Sequence, residues 1–291
     1  MKKFIPRVKR LGTDEYGKLK LSYALSKEGR FDEALAELEA VSPTFYVHLA
    51  RGNIYLLQKR FGEALTQFET ITKIEPLMYE GPLKTATVCL RMGKLEQALE
   101  QFEVAINLDP KAVSAYIGMG QLHIKTNEFD KALYYCNQAL SLDPQIIFAY
   151  IFLADIYQKQ KKLSLAVDTI KTALEINPQF VLAYIRLGHI YSQQNKHLAA
   201  KTTFEKAIEL NPFSIEAKVK LSNTLIQLNQ VKLAGKIMRE IPRLRDKQAK
   251  TKPLGSHGES ISLSETINAS SHLDLVLYFY SLEQQQRYLS E

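Results

Sequence analysis

Glycine and proline are scarce. Thirteen Gly and ten Pro among 291 residues come to about 8%, against a usual ~12%. Cysteine is scarcer still. Cys89 and Cys136 are the two in the chain, too few for a disulfide-stapled scaffold. No apolar stretch approaches the ~18 residues of a membrane-spanning helix. The N-terminus, MKKFIPRVKRLG, starts charged, but Arg7, Lys9 and Arg10 interrupt the apolar run of ~7–15 residues that a secretory signal needs. These absences make an intracellular, reduced, soluble protein the default expectation, with a cytoplasmic location.

Catalytic constellations are missing too. The six histidines are His48, His123, His189, His197, His257 and His272. No pair has the i,i+4 spacing of helical zinc ligands, and there is no CxxC. Neither GxGxxG, GxxxxGK[ST] nor GxSxG occurs. Carboxylates such as Glu128 and Asp130 fall at turn positions, as on any solvated face. The 49 residues after Pro242 are too few for a usual catalytic domain. The sequence therefore predicts no enzyme, no catalytic residue, no metal site and no cofactor.

What is present is ordinary in amount and unusual in order. Hydrophobic residues are 46% and charged residues 24%, enough apolar side chain to offset chain entropy over most of the length. Pro76, Pro110, Pro144, Pro178 and Pro212 are spaced by 34 residues each time. Ala64, Ala98, Ala132, Ala166, Ala200 and Ala234 keep that spacing, as do the small residues Gly52, Ala86, Gly120, Ala154, Gly188 and Ser222. Such a period marks a repeat array.

Each unit reads as two helices. Tyr116, Met119, Gly120 and His123 recur at helical spacing, and Phe129, Ala132, Leu133, Cys136, Ala139 and Leu140 do so again. The polar stretch Thr126, Asn127, Glu128 makes the turn between them. Small residues let the paired backbones approach where Leu would hold them apart. Asp109, Asp143, Asn177 and Asn211 each precede a proline, which pushes them out of the α region. They suit an N-cap with proline at the first helical position of the next unit. His123 falls where Tyr157 and Tyr191 fall in later units, which predicts a packed core residue. The two cysteines occupy buried repeat positions and read as small hydrophobes.

This pattern resembles the tetratricopeptide repeat family over about residues 15–241. Tyr184, Leu187, Gly188 and Tyr191 match the family's first helix, and Ala200, Phe204, Ala207 and Pro212 match its second half. The 35-residue pentatricopeptide repeat fits worse, since the period here never reaches 35. The resemblance implies an all-α fold, a right-handed α-solenoid of helix–turn–helix repeats, about seven 34-residue units in one cooperative body. The first unit, around residues 15–44, is short, and the seventh, from Ile215, ends early at Pro242, as capping repeats do. Residues 1–14 form a basic N-terminal segment. Residues 242–271 read as a basic and Ser-rich linker. Residues 272–291 read as an apolar C-terminal helix with Ser271 as N-cap, a strand over 276–280 being the alternative.

The resemblance also implies where a partner binds, because the first helix of each pair lines the concave face. Units starting at Phe45, Tyr79, Val113, Ile147, Val181 and Ile215 place Leu49, Leu83, Ile117, Ile151, Ile185 and Val219 in a wholly aliphatic row at the fifth position. The ninth position gives Asn53, Thr87, Gln121, Asp155, His189 and Asn223, a polar row with one acid. These twelve residues are the predicted groove. The polar row would hydrogen-bond an extended peptide backbone or the polar edge of a helix. The aliphatic row would take apolar side chains, or else pack between neighbouring helices. Some family members clamp acidic chaperone tails with Lys, Asn and Arg across three units. That clamp fails here, since Ile117 with Gln121 and Ile151 with Asp155 stand where Lys and Asn are needed, and Lys84 and Arg186 are isolated basic groove residues.

The expected function is a non-enzymatic scaffold or adaptor, an assembly or co-chaperone-like factor binding an apolar or amphipathic peptide. The C-terminal helix would pack on its own repeats, dock a partner or second copy, or lie on a membrane surface. The net charge of +7 is local. Residues 1–20 carry seven Lys or Arg against two acids, residues 231–253 eight against two, and residues 254–291 one against five. Residues 21–230 carry 22 of each. The alternatives are basic flanks that bind nucleic acid or an anionic membrane surface, and the non-catalytic arm of an enzyme complex.

Overall fold

A computed structural model describes residues 15–251. The sequence-predicted basic segment 1–14 and C-terminal helix 272–291 lie outside the described residues. The described chain is all-α, an α-solenoid of helix pairs in two compact units, residues 15–108 and 109–250.

The first unit contains α1 (Glu15–Lys27), α2 (Phe31–Glu39), α3 (Phe45–Leu57), α4 (Phe61–Ile74), α5 (Glu80–Met92) and α6 (Leu95–Leu108). The second contains α7 (Val113–Lys125), α8 (Phe129–Leu142), α9 (Ile147–Lys159), α10 (Leu163–Ile176), α11 (Val181–Gln193), α12 (His197–Leu210), α13 (Ile215–Gln227) and α14 (Val231–Thr251). Seven pairs thus form among the described residues, as the period predicts. The first pair is abbreviated because α2 has nine residues where α4 has fourteen.

The 34-residue period is a packing period. Ala64, Ala98, Ala132, Ala166, Ala200 and Ala234 are all buried. One helical turn on, Phe68, Phe102, Cys136, Ile170 and Phe204 are buried too. Removing a side chain of this size from water stabilises by about 1.5–3 kcal/mol. Phe68, Cys136 and Phe204 sit against Gly52, Gly120 and Gly188 of the paired helix. An ideal Cβ on Gly120 would meet Cys136 Sγ at 2.8 Å, so α7 and α8 are closer there than a larger side chain permits.

The turns inside the pairs depend on one left-handed residue. Lys59, Asn127, Lys161, Asn195 and Asn229 have φ between 58° and 60°, and Gly93 has φ 76° at the equivalent position. Only glycine adopts this region without strain.

The turns between pairs correct the sequence reading of Asp109, Asp143, Asn177 and Asn211. They do not N-cap the following helix. Asp143, Asn177 and Asn211 are C-caps of the preceding one, and the next helices are N-capped at Ala112, Ile146, Phe180 and Ser214. The side-chain oxygens accept instead from the backbone N–H two residues on, at Lys111, Gln145, Gln179 and Phe213, over 2.9–3.1 Å. These are Asx turns, which compete with capping for the same side chains. The hydroxyls of Tyr116, Tyr150 and Tyr184 donate to the carbonyls of Pro110, Pro144 and Pro178 at 3.0–3.1 Å, tying each turn to the helix after it.

The last helix also differs from expectation. α14 continues through Pro242 to Thr251, where the sequence reading ends the array and begins a linker. Ala234, Ile237 and Ile241 fall on one stripe of α14. Ala234 and Ile237 pack on Leu221 and Leu225 of α13, and Ile241 is buried. Lys218 Nζ meets Glu240 Oε2 at 2.6 Å, and Ser222 Oγ donates to the Ala234 carbonyl at 3.1 Å. Packing before Pro242 carries the helix across a residue that lacks one backbone donor.

Candidate functional site

In the second unit the first helices of successive pairs touch, α7 with α9, α9 with α11 and α11 with α13. They form one face. Side chains at the fifth and ninth positions of each helix point toward it or into the seams between neighbours, and burial decides which.

The aliphatic row goes mostly into the seams. Ile151 and Ile185 are buried, and Ile117 and Val219 are partly exposed. In the first unit Leu49 and Leu83 are buried. Of the two readings of this row, packing between neighbouring helices applies at four of its six positions. Contact between adjacent first helices turns most of the row into packing. Ile151 belongs to a core cluster with Ala166, Ile170 and Leu187.

The polar row is divided in the same way. In the first unit Asn53 is 1% exposed and described hydrogen bonds do not reach its Oδ1. Thr87 Oγ1 donates to the Leu83 carbonyl of its own helix at 2.8 Å. Lys84, read from the sequence as an isolated basic groove residue, is buried. In the second unit Gln121, Asp155 and His189 are half-buried and Asn223 is exposed, so this row remains accessible along α7, α9, α11 and α13.

Asp155 and His189 hold the centre of that row. The Asp155 carboxylate lies 3.5 Å from Arg186 Nε, so Arg186 is paired rather than isolated. Burial pushes the Asp155 carboxyl above the usual range. Arg186 and Lys159 oppose the shift and Glu216 adds to it. The Gln158 amide nitrogen lies 3.0 Å from His189 Nδ1 and donates to Gln193 Oε1 at 2.9 Å. With the amide so oriented, Nδ1 accepts, and the neutral imidazole carries its proton on Nε2. Burial, then Lys220 and Arg186, pull the His189 pKa below its ordinary value. The face therefore offers one neutral imidazole, one ion pair and the amides of Gln121 and Asn223. Sequence reasoning missed Gln158, Gln193, Glu216 and Lys220. They lie at other positions of the first helices, and a scan of the fifth and ninth alone passes over them.

Groups of three or more His, Cys, Asp or Glu able to hold a metal ion do not occur among the described residues. Cys89 and Cys136 are buried, free thiols, and burial pushes the Cys136 thiol up to about 12. His123 is buried and stacked on Tyr135, with ring centroids 5.3 Å apart, the packed role predicted for it. Among the described residues no helix is long and apolar enough to cross a membrane.

Family models for the tetratricopeptide repeat match residues 19–76, 113–146, 149–180 and 181–214, and a TPR repeat model matches residues 87–127. Among solved structures the chain is similar to yeast Tom70, at 18% identity and a TM-score of 0.65 over 98% of this chain and 58% of that one. It is similar to the APC/C hetero-tetramer Cut9–Hcn1, at 15% identity and a TM-score of 0.61 over 84% of this chain and 56% of that one. It is also similar to a thermophilic TPR protein of Thermus thermophilus, TTC0263, at 19% identity and a TM-score of 0.58 over 63% and 100%. The chain thus spans less than two thirds of the first two chains. Identities this low speak for the fold alone. No curated protein matches the sequence.

Proposed function

Because this chain belongs to the tetratricopeptide repeat family, we propose that it is a non-enzymatic protein–protein interaction scaffold. Its recognition surface is the first-helix face of α7, α9, α11 and α13. The ligand is an extended or amphipathic segment of a partner protein.

The observation that carries this reading is the accessible polar row above a buried aliphatic one. Gln121, the Asp155–Arg186 pair, His189 and Asn223 sit one helix apart on successive first helices. An extended peptide presents a donor and an acceptor on every residue, and amides, imidazole and carboxylate complement both. Ile117 and Val219, the partly exposed aliphatic residues, supply apolar contacts worth about 1–2 kcal/mol each if covered. A few such contacts with the polar ones reach roughly micromolar affinity, about −8 kcal/mol, after association costs. The similar Cut9–Hcn1 structure is a hetero-tetramer, which agrees with a role in assembly.

Selection of peptides from a displayed random library tests this. Full-length protein should enrich related sequences, and a Gln121→Ala, His189→Ala, Asn223→Ala variant of unchanged circular dichroism should not bind them. Equal binding by both proteins would refute the face.

A further inference from the structure

α14 carries a second surface, distinct from the first-helix face. Its Ala234, Ile237 and Ile241 lie against α13 or in the core. Lys232, Lys236, Arg239 and Arg243 are spaced four, three and four residues apart, so they form one stripe on the opposite side of the helix. All four are exposed. The stripe runs about 16 Å, at 1.5 Å per residue. Arg245 is exposed as well. Val231 and Met238, 62% and 46% exposed, lie on one flank of the helix, about 80–100° round from the row. Leu233, 40% exposed, lies about 60° round the helix from Lys236, at the edge of the row.

We propose that the outward face of α14 docks on an anionic lipid surface. Three features together favour lipid over other anions. The basic groups form a single row on a convex helix, which suits a flat array of headgroups rather than a groove-bound chain. Residues 231–251 contain no Phe, Tyr or Trp, so a single-stranded nucleic acid finds no ring on which its bases can stack. Leu233 offers an apolar side chain at the edge of the row, and the headgroup–acyl boundary accepts it, whereas a phosphodiester backbone has no use for it. Clusters of four to eight Lys or Arg on an amphipathic helix bind anionic lipids in this way. The inner stripe is held by α13 and Glu240 by Lys218, so the basic row faces outward without any rearrangement of the fold.

Co-sedimentation of the full chain with vesicles provides the test. The vesicles are phosphatidylcholine alone, or phosphatidylcholine with about one third phosphatidylserine. The protein should pellet with the second and not the first, and binding should fall as salt shortens the Debye length from about 10 Å at 0.1 M to about 3 Å at 1 M. Each charge removed should lower partitioning about fivefold. Lys232→Gln, Lys236→Gln, Arg239→Gln and Arg243→Gln together should cost nearly three orders of magnitude, about 600-fold, with an unchanged circular dichroism spectrum. Leu233→Ser should weaken binding by a factor that salt leaves constant. Absence of binding to the phosphatidylserine vesicles would overturn the proposal. So would equal binding by the four-Gln variant, which would place the contact elsewhere in the chain. Capture of a single-stranded oligonucleotide through the same four residues, with no vesicle binding, would assign the row to nucleic acid instead.

Discussion

An ideal Cβ placed on Gly188 would lie 2.6 Å from Cε1 of Phe204. The ring is buried and fills the space that a side chain would take, so α11 and α12 are held at a distance only glycine permits. Gly188→Val should therefore destabilise by about 1–3 kcal/mol, the usual cost of overpacking. Gly62, with open space around its own ideal Cβ, is the contrast, and Gly62→Ala should gain up to about 1 kcal/mol from helix propensity. Urea unfolding of both variants checks the pair.

Lys161 has φ 60° in the turn between α9 and α10, where Gly93 fills the equivalent turn before α6. A side chain in this region costs about 1–2 kcal/mol. Lys161→Gly should raise stability by about 1 kcal/mol after the added chain entropy is counted. Gly93→Val should lower it by at least as much. Thermal melts resolve both signs.

The Cys136 thiol, buried and shifted to about 12, is almost entirely protonated at neutral pH, and the thiolate is the reactive form. Maleimide labelling at about pH 7.5 should leave Cys136 unmodified in the folded protein and label it fully in denaturant. Mass spectrometry reads the difference.

His189 titrates below its ordinary value near 6.5 because of burial, with Lys220 and Arg186 adding to the shift. The unfolded chain then binds the proton more readily than the folded one, so folding favours the neutral ring. This contribution is complete above pH 6.5 and is lost as pH falls through 6.5 toward the lower folded value. Wild-type stability should drop from about pH 7.5 to about pH 5.5, and His189→Gln should flatten that slope. The difference between the two urea titrations isolates the residue.

The sequence made the helix pairs legible because burial of Ala64, Phe68 and their equivalents writes one period into composition. It misled at Asp109, Asp143, Asn177 and Asn211, because an Asx turn and an N-cap use the same side chain and the same preceding geometry. It misplaced the end of α14, because Pro242 reads as a stop while Ala234, Ile237 and Ile241 keep the helix packed up to it. The ninth-position row proved accessible in the second unit at Gln121, Asp155, His189 and Asn223. The fifth-position row did not, since Ile151 and Ile185 are consumed where neighbouring first helices meet. A count within one repeat cannot distinguish a surface from a seam between two. The pairing of Asp155 with Arg186, and of Gln158 with His189, joins residues 31 positions apart and has no local signature.

Site-specific photo-cross-linking tests the central claim most directly. A photoreactive residue at Asn223, exposed on α13, and one at Tyr134, exposed on the second helix of its pair at α8, sample different faces of the same unit. A scaffold that reads its partner on the first-helix face should cross-link a peptide or protein ligand from position 223 and not from position 134. Cross-links from 134 alone would contradict it.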